Sequence, residues 1–230
     1  MPRALAIIQA RMTSTRLPGK VLMDLAGKPA LQRMIERVRP ARLLDGIVVA
    51  TTSLTSDDPV AGLCARMDVP CFRGDEQDVL GRYVGAARAF DADPVLRLTA
   101  DCPMHDPGLI DAAIALFRNS GCDYASNAVK RTFPDGLDVE VMSRAALERS
   151  DREARHPLLR EHVTLYIRGT RSDYGVGDFS RADLLNDTDL SALRWTLDTA
   201  EDLARIRRFF AVLPEGFSWR DALVRNEELH

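Results

Sequence analysis

A loop near the start of the sequence concentrates side chains that bind anions. Residues 5–8 form an apolar run typical of a buried strand, and the basic and hydroxyl residues of QARMTSTRLPGK follow directly. Arginine offers forked donors, lysine a mobile charge, and glycine lets the backbone approach a ligand closely. The pattern favours a polyphosphate-binding loop over the alternative, a solvated basic loop with a Pro18-Gly19 turn. Its candidate ligand-binding residues are Arg11, Ser14, Thr15, Arg16, Gly19 and Lys20.

The loop lacks one feature of a Walker A motif. Neither Gly19-Lys20 nor Gly27-Lys28 is followed by serine or threonine, whose hydroxyl binds Mg²⁺ in that motif. A metal ion that accompanies the phosphates would therefore need ligands from elsewhere in the chain.

Two aspartates are candidates for that task. Asp101 follows the apolar run VLRLTA, and Asp198 follows LRWTL, so both are predicted at the ends of core strands. Carboxylates in such positions are suited to hold a Mg²⁺ that bridges phosphate oxygens. Each aspartate alone also fits a structural role, Asp101 as a turn residue and Asp198 as a helix-capping residue before Thr199.

Other polar residues allow two interpretations each. In the predicted strand at residues 136–142, Asp138 and Glu140 share one face, which either contacts solvent or lines a substrate pocket. His156 and His162 are six residues apart, so they do not share a helix face as zinc ligands would. His162 is interpreted as either a structural or a substrate-contacting residue, and His105 as a loop residue.

The elements that must position these residues alternate between strand and helix. Strands are predicted at residues 46–52, 69–73 and 94–100, and helices at 30–39, 58–67, 78–90 and 110–117. This alternation indicates right-handed βαβ units, hence an α/β, Rossmann-like, mostly parallel sheet with helices on both faces. In such sheets ligands bind beyond the carboxyl ends of the strands, where the loop and Asp101 fall.

The alternation breaks after Tyr124. Residues 127–179 are predicted to form an inserted arm of a single domain, with helices at about 144–150 and 158–167. The chain then returns to the core as a strand at 193–198 and closes with helices at 201–210 and 219–224.

The composition excludes several classes of partner. The sequence has 31 Lys plus Arg against 34 Asp plus Glu, which argues against nucleic acid or an anionic membrane surface as partner. No apolar stretch approaches the roughly 20 residues of a membrane span, and no signal peptide is predicted. The four cysteines form no CxxC pair, so we expect reduced thiols in a cytoplasmic protein.

Several segments together resemble a known family. The stretch IIQARMTSTRLPGKVLMDLAGKPALQRMIERV is similar to the opening of the cytidylyltransferases that activate sugar acids, the acylneuraminate and 3-deoxy-manno-octulosonate enzymes. The later segments IVVATT, FRGDEQDVLGRY, RLTADCPMHDP, FPDGLDVEV, REHVT and LRWTLDTAEDL resemble the spore coat polysaccharide biosynthesis branch. The chain departs from the sugar-acid enzymes at Gln9, where proline is usual, and at Ala100, where glycine is common.

The resemblance implies a Mg²⁺-dependent nucleotidyltransferase that transfers CMP from CTP to a hydroxyl of a sugar acid or related acceptor and releases pyrophosphate. It places the reaction in the synthesis of surface polysaccharide or glycoconjugate precursors, and it implies a homodimer joined through the inserted arm. Arg11, Arg16, Lys20, Asp101 and Asp198 would be catalytic, the two aspartates as metal ligands. The implied binding residues are Ala10, Arg11, Ser14, Arg16, Lys20 and Arg73 for CTP, and Asp138, Glu140 and Arg160 for the acceptor.

Two other functions stay open. A glycosyltransferase using a sugar nucleotide would usually carry a DxD metal motif at a strand end, but Asp91-Ala-Asp93 precedes its strand. A catalytically silent nucleotide-binding subunit is disfavoured because both aspartates and all the loop cations are present. A base other than cytosine also stays open.

Overall fold

The computed structural model describes residues 3–170 and 172–229. In chain order the elements are β1 (Arg3–Gln9), β2 (Asp24–Leu25), β3 (Lys28–Pro29), α1 (Ala30–Val38), β4 (Gly46–Thr52), α2 (Asp58–Arg66), β5 (Cys71–Gly74), α3 (Val79–Ala89), β6 (Ala92–Thr99), α4 (Pro107–Ser120), β7 (Tyr124–Ser126), β8 (Glu140–Met142), α5 (Arg144–Glu153), α6 (Pro157–Glu161), α7 (Leu165–Arg168), β9 (Arg181–Asp183), α8 (Ala200–Val212) and α9 (Trp219–Leu229). Within these ranges, no helix combines the length and the apolar character needed to cross a bilayer.

A seven-stranded sheet in the order β5-β4-β1-β6-β8-β7-β9 forms the centre of the molecule. β1 runs parallel to both β4 and β6, β4 to β5 and β7 to β9, whereas β8 is antiparallel to its two neighbours. The prediction of an α/β, mostly parallel sheet is therefore confirmed. In register, Gln9 lies between Ala50 of β4 and Thr99 of β6, so the carboxyl ends of these strands meet at one edge.

Both faces of this sheet are covered by helices, as predicted. Ala4, Ala6 and Ile8 of β1 belong to a core with α1, α2 and α4, whereas Leu5 and Ile7 belong to a core with α3, α5, α6 and α7. Successive strand residues point to opposite faces, so a strand buried on both faces must be apolar throughout. This explains why the sequence shows unbroken apolar runs instead of an alternating pattern.

A third apolar cluster forms beside the sheet, where α8 and α9 pack against the segment that leads to Asp198. Trp195 is fully buried in this cluster, with its ring 5.8 Å from that of Phe209, and its Nε1 donates a 2.8 Å hydrogen bond to Asn226. The C-terminal helices therefore anchor the segment that ends in Asp198.

That segment is not the predicted core strand. Residues 193–198 are extended but make only one isolated bridge, between Arg194 and Asp135, and join no strand of the described sheets. Their backbone instead forms hydrogen bonds with loops. The Trp195 amide donates to the Asp135 carbonyl (2.7 Å), and the Leu197 amide donates to the Asp101 carbonyl (2.7 Å). Leu193, Trp195 and Leu197, at every second position, pack into the third cluster. This burial produces the alternating apolar pattern of a strand although the segment joins no sheet.

Two further predictions were too long. The strand at 136–142 is reduced to β8, because the chain bends at Gly136 (φ 107°) before it reaches the sheet. The helix at 158–167 is divided into α6 and α7, since Val163 takes a φ of 26° with its side chain fully buried. Tertiary burial and a hydrogen bond from the Thr164 hydroxyl to Glu140 (3.3 Å) outweigh helical propensity here.

The predicted inserted arm at residues 127–179 is partly integrated into the fold. Its strand β8 lies between β6 and β7 in the main sheet, and α5 to α7 contribute to the core that contains α3. The role of this segment in a dimer stays a prediction.

Candidate active site

A cavity of about 340 Å³ lies at the carboxyl edge of β1 and β6. Its wall combines the basic loop, the two strand ends, helix α3, the segment that joins α6 to α7, and Asp198. The lining residues are Gln9, Ala10, Arg11, Ser14, Thr15, Arg16, Lys20, Val21, Val79, Arg82, Arg97, Thr99, Ala100, Asp101, Glu161, His162 and Asp198. The structure thus brings the predicted loop and both predicted aspartates to one cavity.

The basic loop is held in place by a buried carboxylate. Asp57, fully buried, accepts hydrogen bonds from the Met12 amide (2.7 Å) and from the amide of Thr52 (3.1 Å) at the end of β4. Farther along, Gly19 at φ 72° donates its amide to the Met12 carbonyl (2.9 Å), which closes the loop on itself. The left-handed conformation explains why glycine precedes Lys20.

Lys20 connects the loop to both aspartates. Its ammonium nitrogen lies 3.1 Å from Oδ2 of Asp101 and 2.7 Å from Oδ1 of Asp198. The side chains of Lys20 and Asp198 are each only 11% exposed, so this contact is largely shielded from water. A buried cation between two carboxylates is the central charge arrangement of the site.

Asp198 has further cationic partners. Its Oδ2 accepts a hydrogen bond from Arg194 (2.8 Å) and lies 3.0 Å from Nη2 of Arg16. Burial would raise the pKa of Asp101, but the Lys20 ammonium together with hydrogen bonds from Thr99, Lys20 and the backbone outweighs burial and lowers that pKa below its usual value. Asp101 is therefore held as a carboxylate.

The comparison with known sequences decides the family. The sequence model of a family described as cytidylyltransferase matches residues 5–215, which is most of the chain. The chain belongs to the cytidylyltransferase family. The basic loop, Asp101 and Asp198 all fall inside the matched range.

Relatives and solved structures agree with this family. The spore coat polysaccharide biosynthesis protein SpsF of Bacillus subtilis is 36% identical over 213 residues, covering 90% of this chain and 85% of that protein. The 3-deoxy-manno-octulosonate cytidylyltransferase of Geobacter sulfurreducens is 38% identical over 110 residues, covering 48% of this chain and 43% of that enzyme.

The solved structures show the same fold at two levels of similarity. A cytidylyltransferase from Leptospira borgpetersenii superposes with a TM-score of 0.91 at 31% identity, covering 100% of this chain and 97% of that one. A CMP:2-keto-3-deoxy-manno-octonic acid synthetase complexed with CTP superposes with a TM-score of 0.64 at 17% identity, covering 91% and 98%, which indicates a shared fold.

Two arginines that line the cavity, Arg82 and Arg97, were not among the site residues predicted from the sequence. Arg82 of α3 is 3% exposed and donates to the Asp75 carbonyl (2.7 Å), but it makes no ion pair within the described ranges. Burial and the charge of Arg11 lower the pKa of Arg82, whereas the more distant carboxylates of Asp57 and Asp75 act in the opposite direction. A buried cation without a carboxylate partner favours an anionic ligand.

The second missed residue is Arg97 of β6. It donates to Glu140 of β8 (3.0 Å) and to the side-chain oxygen of Gln9 (3.3 Å). The available signal was its position, because a single charged residue within the apolar strand PVLRLT needs a buried partner or a ligand.

Four of the binding residues that the family resemblance implied do not line the cavity, and neither does Gly19 of the basic loop. Arg73 donates to the Thr52 (2.8 Å) and Leu54 (2.7 Å) carbonyls and pairs with Asp58. Glu140 is 1% exposed and binds Arg97 and Arg168. The remaining two are Asp138, which pairs with Arg131, and Arg160, which pairs with Asp78 and Asp151. Contacts of these four residues with a ligand stay predictions. In the structure, each charged side chain is paired with an oppositely charged side chain of the protein.

The DxD triplet Asp91-Ala-Asp93 lies away from the cavity. Asp91 pairs with Arg144 (2.6 Å), and Asp93 accepts a hydrogen bond from the Arg144 amide (3.1 Å). Both precede or begin β6, at the end of that strand opposite Asp101. The two aspartates thus bind the first residue of α5, whose N-cap is Ser143, and neither lines the cavity.

Asp202 positions the segment that carries Asp198. Thr199 and Asp202 form a reciprocal capping box at the start of α8, and the Asp202 carboxylate also accepts from the Asp198 amide (3.0 Å). Burial would raise the pKa of Asp202, but hydrogen bonds from Arg194 and from the backbone amides lower it to about 2. The signal in the sequence was the pattern Thr-x-x-Asp in TAED.

We expect Asp202→Asn to remove part of the acid sensitivity of the fold. The folded-state pKa lies below the ordinary 3.8, so the stabilisation is complete above that value and is lost as the pH falls toward about 2. Urea unfolding at several pH values should show wild type losing stability between about pH 4 and pH 2 more steeply than the variant. Parallel curves would contradict the assigned role of Asp202.

Proposed function

We propose that this cytidylyltransferase transfers CMP from CTP to a hydroxyl of a sugar acid or related acceptor and releases pyrophosphate. The observation that carries the proposal is the meeting of the basic loop with Asp101 and Asp198 in one cavity. The relatives support a sugar acid as acceptor, because one of them is a 3-deoxy-manno-octulosonate cytidylyltransferase.

The chemistry requires positioning and charge neutralisation more than covalent catalysis. The acceptor oxygen attacks the α-phosphorus, the bond from that phosphorus to the bridging oxygen breaks, and the electron pair leaves with pyrophosphate. The hydroxyl proton passes to solvent through the open cavity. Arg11, Arg16 and Lys20 are proposed to bind the triphosphate and to offset the charge that develops on the leaving group.

The metal is proposed to be Mg²⁺, bound by Asp101 and Asp198. Their carboxylates hold the Lys20 ammonium between them, so the pair is suited to bind a divalent cation in its place. Within residues 3–170 and 172–229, no group of three or more His, Cys, Asp or Glu could hold a metal ion, so further ligands would come from the nucleotide and water. When bound, Mg²⁺ would supply charge stabilisation to the phosphate oxygens.

The acceptor is proposed to bind at the part of the cavity that α3 and the segment joining α6 to α7 line. Arg82, Glu161 and His162 line the cavity there, and Arg82 forms no ion pair with a carboxylate in the described part of the chain. A carboxylate on the acceptor would pair with this buried charge. The cytoplasmic location and the homodimer suggested by the sequence remain part of this proposal.

A pyrophosphate-release assay tests the function directly. We expect release to require CTP, Mg²⁺ and a sugar acid such as 3-deoxy-manno-octulosonate together, and to be about tenfold or more faster with CTP than with UTP. Phosphonates and amino sugars extend the acceptor screen. Binding of CTP without pyrophosphate release under every acceptor would favour a silent subunit, and transfer from a sugar nucleotide would favour a glycosyltransferase.

A further inference from the structure

The Lys20 ammonium occupies the position between the two carboxylates that are proposed to bind the metal. It contacts Oδ2 of Asp101 (3.1 Å) and Oδ1 of Asp198 (2.7 Å). A divalent cation uses the same carboxylate oxygens, so an ammonium and a metal ion compete for them. One of the two must leave before the other binds in full.

The remaining oxygen of Asp198 is also occupied. Arg16 and Arg194 lie 3.0 Å and 2.8 Å from its Oδ2. Three cationic side chains therefore already surround two carboxylates. A metal ion that entered alone would add two positive charges beside carboxylates whose charge these side chains already neutralise, which is electrostatically unfavourable.

A triphosphate would change this balance because it offers the cations another partner. The Arg16 side chain is 62% exposed, and Lys20 stands on a flexible four-carbon stem at the start of a short turn after Gly19. Both side chains can move toward phosphate oxygens, whereas Arg194 is also bound to Asp202 (3.3 Å). The carboxylates would then be released for the metal as the phosphates bring further negative charge.

We infer that Lys20 competes with the divalent metal for Asp101 and Asp198, so that the metal binds tightly only together with the nucleoside triphosphate. This inference rests on the proposed function, since it takes the two aspartates as metal ligands and the loop as the triphosphate site. Lys20 is a positioning residue in the nucleotide-free protein: it holds the two carboxylates together and keeps free metal out.

Mn²⁺ binding to the nucleotide-free protein tests the inference without any turnover. Water proton relaxation enhancement distinguishes protein-bound Mn²⁺ from free Mn²⁺ and from the Mn²⁺–CTP complex. We expect weak binding to wild type, binding tighter by roughly tenfold or more to Lys20→Met, and recovery of tight binding by wild type when CTP is added. Lys20→Gln repeats the measurement with a polar side chain, and thermal unfolding verifies that both variants fold.

The chain offers a matched control for the charge change. Lys28 also lies between two carboxylates, Glu36 (2.9 Å) and Glu215 (3.2 Å), but it does not line the site cavity. Lys28→Met should leave Mn²⁺ binding unchanged. The gain in Lys20→Met should disappear in the double variant with Asp198→Asn, because the metal would lose one of its two carboxylates.

Two outcomes would overturn the inference. One is tight Mn²⁺ binding by wild type without nucleotide, and the other is no gain in folded Lys20→Met and Lys20→Gln. Either could accompany normal CTP turnover by wild type, in which case the proposed function stands and only the competition fails. Failure of turnover with a Lys20-dependent gain in Mn²⁺ binding would reject the function and retain the competition.

Discussion

Asp198→Asn is expected to lower kcat for pyrophosphate release by about a thousandfold, which corresponds to roughly 4 kcal/mol of activation free energy. The substitution keeps the shape of the side chain but removes the negative charge that faces Lys20, Arg16 and Arg194. It would also remove a proposed metal ligand. Steady-state assays with saturating CTP and Mg²⁺ measure the effect, and circular dichroism verifies the fold.

A matched substitution at an exposed aspartate provides the control. Asp189 lies exposed in the same part of the chain, where its carboxylate accepts from the amide (2.9 Å) and the hydroxyl of nearby Ser191. Asp189→Asn should therefore retain wild-type turnover. If Asp198→Asn kept more than a tenth of the wild-type kcat, the catalytic assignment of Asp198 would be wrong.

Gly136→Ala is expected to destabilise the fold by about 3 kcal/mol and to reduce turnover as well. A Cβ at this position would lie 2.7 Å from the carbonyl carbon of Trp195 and 3.0 Å from the Thr196 nitrogen, and Gly136 has a φ of 107°. The clash is with backbone, so the segment that ends in Asp198 would have to move. Urea unfolding measures the loss of stability. The pyrophosphate assay measures the loss of turnover that a displaced Asp198 would cause.

Gly121→Ala separates the clash from the backbone strain. Gly121 caps α4 at a φ of 62°, and a Cβ added there would meet no atom within 4 Å, so only the strain of a left-handed alanine is expected, about 1 kcal/mol. Its turnover should match that of wild type. Equal losses of stability in the two variants would show that the approach to Trp195 contributes nothing.

The parallel half of the sheet was predictable because both of its faces are buried. A strand such as β4 must then be apolar throughout, and its predicted bounds, residues 46–52, agree with the structure. The basic loop and Asp101 were predictable as neighbours because they follow β1 and β6, and parallel strands end at the same edge of a sheet.

The second half of the chain was harder to predict because contacts between residues distant in sequence determine its backbone conformation. The apolar pattern of residues 193–197 reflects the packing of Trp195 against Phe209, and no local signal distinguishes that burial from a strand. Glu140 was recognised as a charged residue in a strand, but its partner Arg168 follows a break at Val163 that only tertiary burial explains. The burial of Arg82 has no such local signal, whereas the position of Arg97 within an apolar strand did indicate a buried partner or a ligand.

The buried carboxylate of Asp57 has a consequence for the energetics of nucleotide binding. It fixes the loop at Met12, and the hydrogen bond from the Gly19 amide closes the loop at its other end. The conformational entropy of this segment is therefore lost when the chain folds and not when a ligand arrives. If the loop binds the triphosphate as proposed, the ordering cost at the loop would fall on side chains such as the exposed Arg16 and not on the backbone. The loop backbone would then already have its bound conformation before the proposed ligand arrives.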